Sequence, residues 1–286
     1  MGRLKVERAD YAGYCYGVER ALKMASTAVK SHEKPIYTLG PIIHNPQVVE
    51  LFKKSGVNPI DDIKDVKKGT VIIRTHGIDP KVTDKAIDRG LRIVDATCPF
   101  VAKAQNCAEE LMRGGYEVIV IGERDHPEVV GILAHTDGLA RVVEEVSDIA
   151  EIDSAKKLGV VVQTTQSLTK LREIIAELAS LAGEIKIYNT ICNATTQRQE
   201  AARDLATKAD IMIVVGGKNS ANTSRLASIC EEAGTKTHHI ETADEIDETW
   251  FEGYECVGVT AGASTPEWLL DEVVDNISKI DKGTDN

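Results

Sequence analysis

Three cysteines, Cys15, Cys98 and Cys192, stand one to each third of the chain, each just ahead of a helix-like run. Each is followed at nearly the same distance by a polar loop, carrying His44, His126 and Ser220 respectively. A chain built this way uses one supersecondary plan three times, and rotating that plan brings three thiolates to one axis. Three thiolates on a threefold axis suit a cubane 4Fe-4S cluster held at three corners, because a cube viewed down its body diagonal has that symmetry. The fourth iron is then open for chemistry.

The plan itself is legible as alternation. Short β-branched runs at 35–39, 71–74, 118–122, 160–163, 211–215 and 256–260 each end in a polar or glycine-rich turn and pass into a helical pattern. That is the βαβ signature, which implies an α/β fold with parallel sheets and ligand sites in the turns at the carboxyl ends of the strands. Two loop types recur. The first runs from Gly40 to Pro46, from Gly122 to Glu128 and from Gly216 to Asn222; the second is Arg74-Thr75-His76-Gly77, Gln163-Thr164-Thr165-Gln166 and Thr260 to Ser264. Pro46, Pro80, Pro99, Pro127 and Pro266 open amphipathic runs, where a missing N–H costs nothing. Asn45, Asp79 and Thr265 read as helix caps, and Thr196 with Gln199 as a capping box. No low-complexity linker intervenes, so the expected divisions are 1–98, 99–191 and 192–270, with 271–286 a helix closing on the first.

Composition narrows the function. With 42% hydrophobic residues the chain is not disordered, and with 4% aromatics its cores fall to aliphatic side chains. A net charge of −11 argues against a general nucleic-acid or anionic-membrane binder, both of which need a basic footprint. Neither an N-terminal apolar run nor an apolar stretch approaching the ~20 residues of a membrane span is present, so a cytoplasmic protein is expected, or a plastid one if a transit peptide was removed. Cysteines in that compartment are reduced, which favours metal binding or catalysis over disulfides.

Cys107, Cys230 and Cys256 fall inside helix or strand patterns and read as small buried hydrophobes, whereas Cys15, Cys98 and Cys192 sit in turn-like settings at helix N-termini. Such a terminus favours a thiolate by only ~0.3–1 kcal/mol, so metal–sulfur bonds must supply the holding energy. Zinc is the competing metal; the wide cysteine spacing lacks its usual knuckles, and the triplicated plan favours the cluster. Around it, His44, His76, His126, Thr164, Thr165, Ser220, Asn222 and Ser264 are hydrogen-bonding side chains backed by helix N-termini, an arrangement suited to phosphate oxygens. If five such donors each contribute ~1.5–3 kcal/mol, micromolar binding of a small diphosphate survives the cost of association. Glu128 is the acid of the set. In a desolvated pocket it becomes a proton donor near neutral pH, with Thr164 as relay.

These motifs together resemble one family, the 4-hydroxy-3-methylbut-2-enyl diphosphate reductases of isoprenoid biosynthesis by the methylerythritol phosphate route. The likeness runs through Gly13-Tyr14-Cys15-Tyr16-Gly17-Val18, Gly40 to Pro46, Thr75-His76-Gly77, Asp95-Ala96-Thr97-Cys98-Pro99, His126-Pro127-Glu128, Gln163-Thr164-Thr165, Cys192-Asn193-Ala194-Thr195-Thr196, Lys218-Asn219-Ser220 and Thr260 to Ser264. The resemblance implies a pseudo-threefold trefoil of three small α/β domains about a central cavity, with one 4Fe-4S cluster per chain on Cys15, Cys98 and Cys192. It implies a diphosphate held by His44, His76, His126, Ser220, Asn222 and Ser264, protons from Glu128 and Thr164, and a substrate hydroxyl at the open iron. Loss of that hydroxyl as water yields isopentenyl or dimethylallyl diphosphate. The family's frequent pair of serines before the asparagine is here Ser220-Ala221, so one hydroxyl contact is missing and Ala221 is left out of the site.

Rival readings are another three-cysteine cluster enzyme, such as a radical dehydratase, and a metal or redox sensor without turnover. The histidine-rich loops and Glu128 favour the diphosphate. The expected partners are that small molecule and a low-potential donor, ferredoxin or flavodoxin, with no nucleic acid and no membrane.

Overall fold

The computed structural model describes residues 4–280. Its first third contains β1 (Lys5–Arg8), α1 (Tyr16–Ser31), β2 (Ile36–Leu39), α2 (Pro46–Lys54), β3 (Val57–Ile60), β4 (Thr70–Ile73), α3 (Pro80–Asp88) and β5 (Arg92–Asp95). Next come α4 (Pro99–Arg113), β6 (Glu117–Ile121), α5 (Pro127–Ala134), β7 (Arg141–Val143), β8 (Ala155–Val162), α6 (Leu168–Leu178) and β9 (Ala182–Tyr188). The chain ends with α7 (Asn193–Ala206), β10 (Ile211–Val215), α8 (Ala221–Glu232), β11 (Lys236–Ile240), β12 (Cys256–Ala261) and α9 (Glu267–Ile277).

These strands form three four-stranded sheets with one common order: β3-β2-β4-β5, β7-β6-β8-β9 and β11-β10-β12-β1. Every pairing among them is parallel. The α/β class with parallel sheets expected from the alternation is therefore what the chain forms. By contact, the described residues fall into two compact units. One comprises 4–16, 44–48 and 193–280 and carries the last sheet; the other comprises 17–43 and 49–192 and carries the other two.

In the first of these units β10 shows why a parallel sheet needs cover on both sides. Ile211, Ile213 and Val215 face one core with Leu269, Leu270, Val273 and Ile277 of α9. Met212 and Val214, pointing the other way, pack with Ala202 and Leu205 of α7 and Leu226 and Cys230 of α8. Alternate residues of a strand lie on opposite faces, so both faces being apolar demands a helix layer on each.

Two of the expected boundaries change here. β1 does not join the first sheet but pairs along β12, from Lys5 beside Cys256 to Arg8 beside Val259. In each sheet the last position is filled by the strand that precedes a cysteine, and the N-terminal strand fills that slot for the final sheet. Likewise α9 covers the face of its own unit's sheet, where Ile211, Ile213 and Val257 supply the apolar surface it buries; residues 281–286 of the expected closing helix lie outside the described residues.

In the second unit, Val118, Val120 and Val161 pack under Ala104, Ala108 and Leu111 of α4 and Val129 and Ile132 of α5. On the opposite face Ile119, Ile121, Leu158, Val160 and Val162 meet Leu171, Ile174 and Leu178 of α6. Around β4, Val71 packs with Ala86 of α3 and with Val66 and Leu91.

Proline opens α2, α3, α4 and α5 as expected, while at α9 Pro266 is itself the cap. Asn45 and Asp79 cap as expected, accepting from the N–H groups of Val48 at 3.0 Å and Lys81 at 2.8 Å. Thr265 instead donates its hydroxyl to the Val215 carbonyl at 2.9 Å. Thr196 and Gln199 lie within α7, which already starts at Asn193, so they are no capping box. Among the described residues no helix is long and apolar enough to cross a membrane.

Candidate active site

The three sheets end in the same two hydrogen-bonded loops. After the first central strand, a glycine N–H donates to the last carbonyl of the neighbouring strand: Gly40 to Ile60 at 2.8 Å, Gly122 to Val143 at 3.1 Å and Gly216 to Ile240 at 2.9 Å. After the second, the loop carbonyl receives the backbone N–H of a cysteine. Cys98 donates to Thr75 at 2.9 Å, Cys192 to Thr164 at 3.1 Å and Cys15 to Ala263 at 3.2 Å. Each of the three cysteines is thus tied to the tip of a sheet through its main chain, and each directly precedes a helix, α1, α4 or α7.

Their side chains are half-buried, and Cys98 caps α4 without using its sulfur as the capping group. The remaining cysteines differ in kind. Cys230 packs in an apolar core, where burial pushes its thiol up to about 12, and burial also raises the Cys107 and Cys256 thiols. A thiol so shifted stays protonated and makes a poor metal ligand. Cys107 and Cys230 are buried as the sequence leads one to expect, whereas Cys256, at the start of β12, is only half-buried.

Within the second unit the acid–base residues come together. Glu128, in the first turn of α5, is 1% exposed, and its carboxylate accepts the Thr164 N–H at 2.6 Å and the Thr164 hydroxyl at 2.8 Å. Desolvation raises its pKa from 4.5 to about 7, against the lowering effect of those two bonds. His126 caps the same helix: its Nδ1 accepts the Glu128 N–H at 3.1 Å. A neutral ring that accepts at Nδ1 carries its proton on Nε2, which makes the far side of the ring a donor. His76 meets His126 edge to face, with ring centroids 5.4 Å apart.

Gln163, a residue that the sequence analysis does not assign to the site, is fully buried and joins the two loops of this sheet. Its Oε1 accepts the Glu123 N–H at 2.9 Å and its Nε2 donates to the Thr165 hydroxyl at 3.0 Å, so the Thr165 proton is directed elsewhere. Its place immediately after β8 was the available signal.

Within the first unit, Ser220, Asn222 and Ser264 are all buried. Ser220 caps α8 by accepting the Thr223 N–H at 3.4 Å, which leaves its own hydroxyl proton to donate. Asn222 Nδ2 is buried with no hydrogen-bond partner among the described residues. Leaving such a donor unmet costs roughly 1–3 kcal/mol, a cost that a ligand oxygen removes. Ser264 donates its hydroxyl to the His44 carbonyl at 2.9 Å, so it fixes the histidine loop and offers a bound anion only its lone pairs unless it rotates. Lys218, beside them in sequence, is ion-paired with Glu245 at 2.7 Å.

Residues 6–278 match the model of the family described as "LytB protein". A relative from Geobacter sulfurreducens, named 4-hydroxy-3-methylbut-2-enyl diphosphate reductase, is 49% identical over 97% of this chain and 98% of its own length. The protein of that name from Syntrophotalea carbinolica is also 49% identical, over 98% of this chain and all of its own. Solved structures are similar as well. One, described as (E)-4-hydroxy-3-methyl-but-2-enyl diphosphate reductase, the terminal enzyme of the non-mevalonate pathway, is 44% identical with a TM-score of 0.72 over 97% of this chain and 100% of its own. Another, the E-1-hydroxy-2-methyl-but-2-enyl-4-diphosphate reductase of Plasmodium falciparum, is 30% identical with a TM-score of 0.91 over 96% of this chain and 88% of its own.

Proposed function

This chain belongs to the LytB protein family, and from that membership we propose that it reductively removes the hydroxyl of (E)-4-hydroxy-3-methylbut-2-enyl diphosphate, giving isopentenyl and dimethylallyl diphosphate. Two electrons and two protons convert the alcohol diphosphate into the alkenyl diphosphate and water. The observation that carries the reading is the buried Glu128, clasped by Thr164, where burial pushes the carboxyl up to about 7. A carboxyl so placed holds a proton at neutral pH and can give it up, which a surface glutamate does not.

Cys15, Cys98 and Cys192 would hold a 4Fe-4S cluster. The donor set fits: half-buried sulfurs at helix N-termini, with main-chain N–H groups already used to anchor the loops. When bound, the cluster supplies electrons and a Lewis-acid position for the leaving oxygen. The chain's own groups do the rest. The Nε2 donor of His126, the hydroxyl of Ser220 and the unmet amide of Asn222 take diphosphate oxygens, together with His44, His76 and Thr165; Ser264 joins them by turning its hydroxyl from the His44 carbonyl. Thr164, whose hydroxyl lies 2.8 Å from Glu128, passes the carboxyl proton to the departing oxygen. A second proton delivered to either end of the allyl fragment sets the product. A low-potential ferredoxin or flavodoxin in the cytoplasm would supply the electrons.

Anaerobically prepared protein is expected to be brown, with iron and acid-labile sulfide each near ~4 per chain, and to turn over the alcohol diphosphate with an artificial reductant. Colourless protein holding stoichiometric zinc and lacking that turnover would overturn the proposal.

A further inference from the structure

Two arginines hold the chain segments that lead into Cys15 and Cys98. Arg198, early in α7, is 3% exposed and divides its guanidinium between two carbonyl oxygens: Nη1 donates to Ala194 at 2.8 Å and Nη2 to Gly13 at 2.9 Å. Gly13 lies just before Cys15 and has φ at 98°, a left-handed conformation that glycine adopts without strain. Arg20, early in α1, donates from Nη1 to the carbonyl of Thr97 at 3.1 Å, the residue immediately ahead of Cys98. Thr97 is fixed from its other side, its N–H donating to Asp95 at 2.9 Å.

The pattern repeats with a cyclic shift. The helix that follows Cys192 reaches the segment ahead of Cys15, and the helix that follows Cys15 reaches the segment ahead of Cys98. The Arg198 guanidinium is buried and its planar fork orients the two carbonyls it binds, so these bonds constrain the loop rather than merely touching it, while half-buried Arg20 adds a single bond to the Thr97 carbonyl. The charge matters as well, since a cluster on thiolates becomes more negative on reduction and a fixed cation in the adjoining chain favours the reduced form.

Resting on the cluster reading of the proposed function, we infer that Arg198 and Arg20 are positioning residues for the metal-binding cysteines, setting the loops of Cys15 and Cys98 and easing reduction of the group they hold. The test compares anaerobic holoprotein of the wild type with Arg198→Gln, Arg198→Lys and Arg20→Gln. Iron loss to a chelator and the reduction potential, followed by electron paramagnetic resonance, are measured for each.

Arg198→Gln is expected to lose iron at least about tenfold faster and to need a potential about 59 mV lower for the same reduced fraction, a tenfold change for one electron. Arg198→Lys keeps the charge but not the fork, so its potential stays near that of the wild type while its iron is still lost faster. Arg20→Gln, with one bond removed, shifts both quantities in the same direction by less; it decides the matter if Arg198→Gln does not fold. Variants that fold and match the wild type in both measurements overturn the inference alone. A wild type that takes up no iron and sulfide sinks the proposed function, and this inference with it.

Discussion

Replacing Glu128 with glutamine separates what this residue does for catalysis from what it costs the fold. The Glu128 carboxyl is buried, and its pKa rises from 4.5 to about 7 on folding. Below pH 4.5 the group is protonated in both folded and unfolded chains and contributes no difference. Between 4.5 and 7 the unfolded chain ionises while the folded one keeps its proton, so stability falls as pH rises, by about 1.36 kcal/mol for each pH unit. Above 7 the loss levels off at about 3 kcal/mol. Glutamine keeps the shape and the two contacts: its carbonyl accepts the Thr164 N–H, and its amide donates to the Thr164 hydroxyl, which rotates to accept. It carries no charge to desolvate. The Glu128→Gln protein is therefore expected to lose nearly all turnover while gaining stability over the wild type at pH 8 and matching it near pH 4.5. Denaturant unfolding of the apoprotein across that range, with the difference between the two plotted against pH, is the assay. A difference that does not change with pH would refute the reasoning, and undiminished turnover would remove Glu128 from the mechanism.

Substitutions at four other positions probe the site. His126→Asn retains an N-capping side chain for α5 but removes the Nε2 donor, so the melting temperature should hold while KM for the diphosphate rises; His126→Ala should also lose the cap, about 0.5–2 kcal/mol, in the same melting experiment. Asn222→Ala deletes a buried donor that the ligand-free protein leaves unmet, so calorimetric titration with inorganic diphosphate should show roughly tenfold weaker binding with stability unchanged or improved. Gly262→Ala would drive a methyl into the Thr223 hydroxyl, so it should destabilise the fold, and Thr223→Ala in the same chain should restore much of the loss; thermal unfolding of the two single variants and the double shows whether that contact is the cause.

The strands read from sequence were β2, β4, β6, β8, β10 and β12, the two middle strands of every sheet. Runs such as Ile211–Val215 are buried on both faces and so are apolar without interruption. The strands that escaped notice are the outer ones, β1, β3, β5, β7, β9 and β11. Lys5–Arg8, Arg92–Asp95 and Lys236–Ile240 each carry charge at an exposed position, as an outer strand with little cover permits, and their signal sinks into that of the loops. Thr265 was misread for a related reason. A threonine before a proline and an apolar run looks like a cap, and only the nearness of the Val215 carbonyl reveals where its hydroxyl goes.

At the site the division is similar. The proposed roles of Cys15, Cys98 and Cys192 and of the polar loops rest on residue types that recur at matching places in each third of the chain, whereas Glu128 is singled out as the acid of its loop. What the chain alone determined was this recurrence: local alternation of apolar and polar residues, turn chemistry and proline placement, all short-range properties. Only the tertiary structure decided that β1 completes the sheet of the opposite end of the chain, that Arg198 grips the carbonyl of Gly13, and that Glu128 is sealed from water against Thr164. Those contacts join residues far apart in sequence, and a pKa near 7 comes from the burial such contacts create rather than from the residue itself.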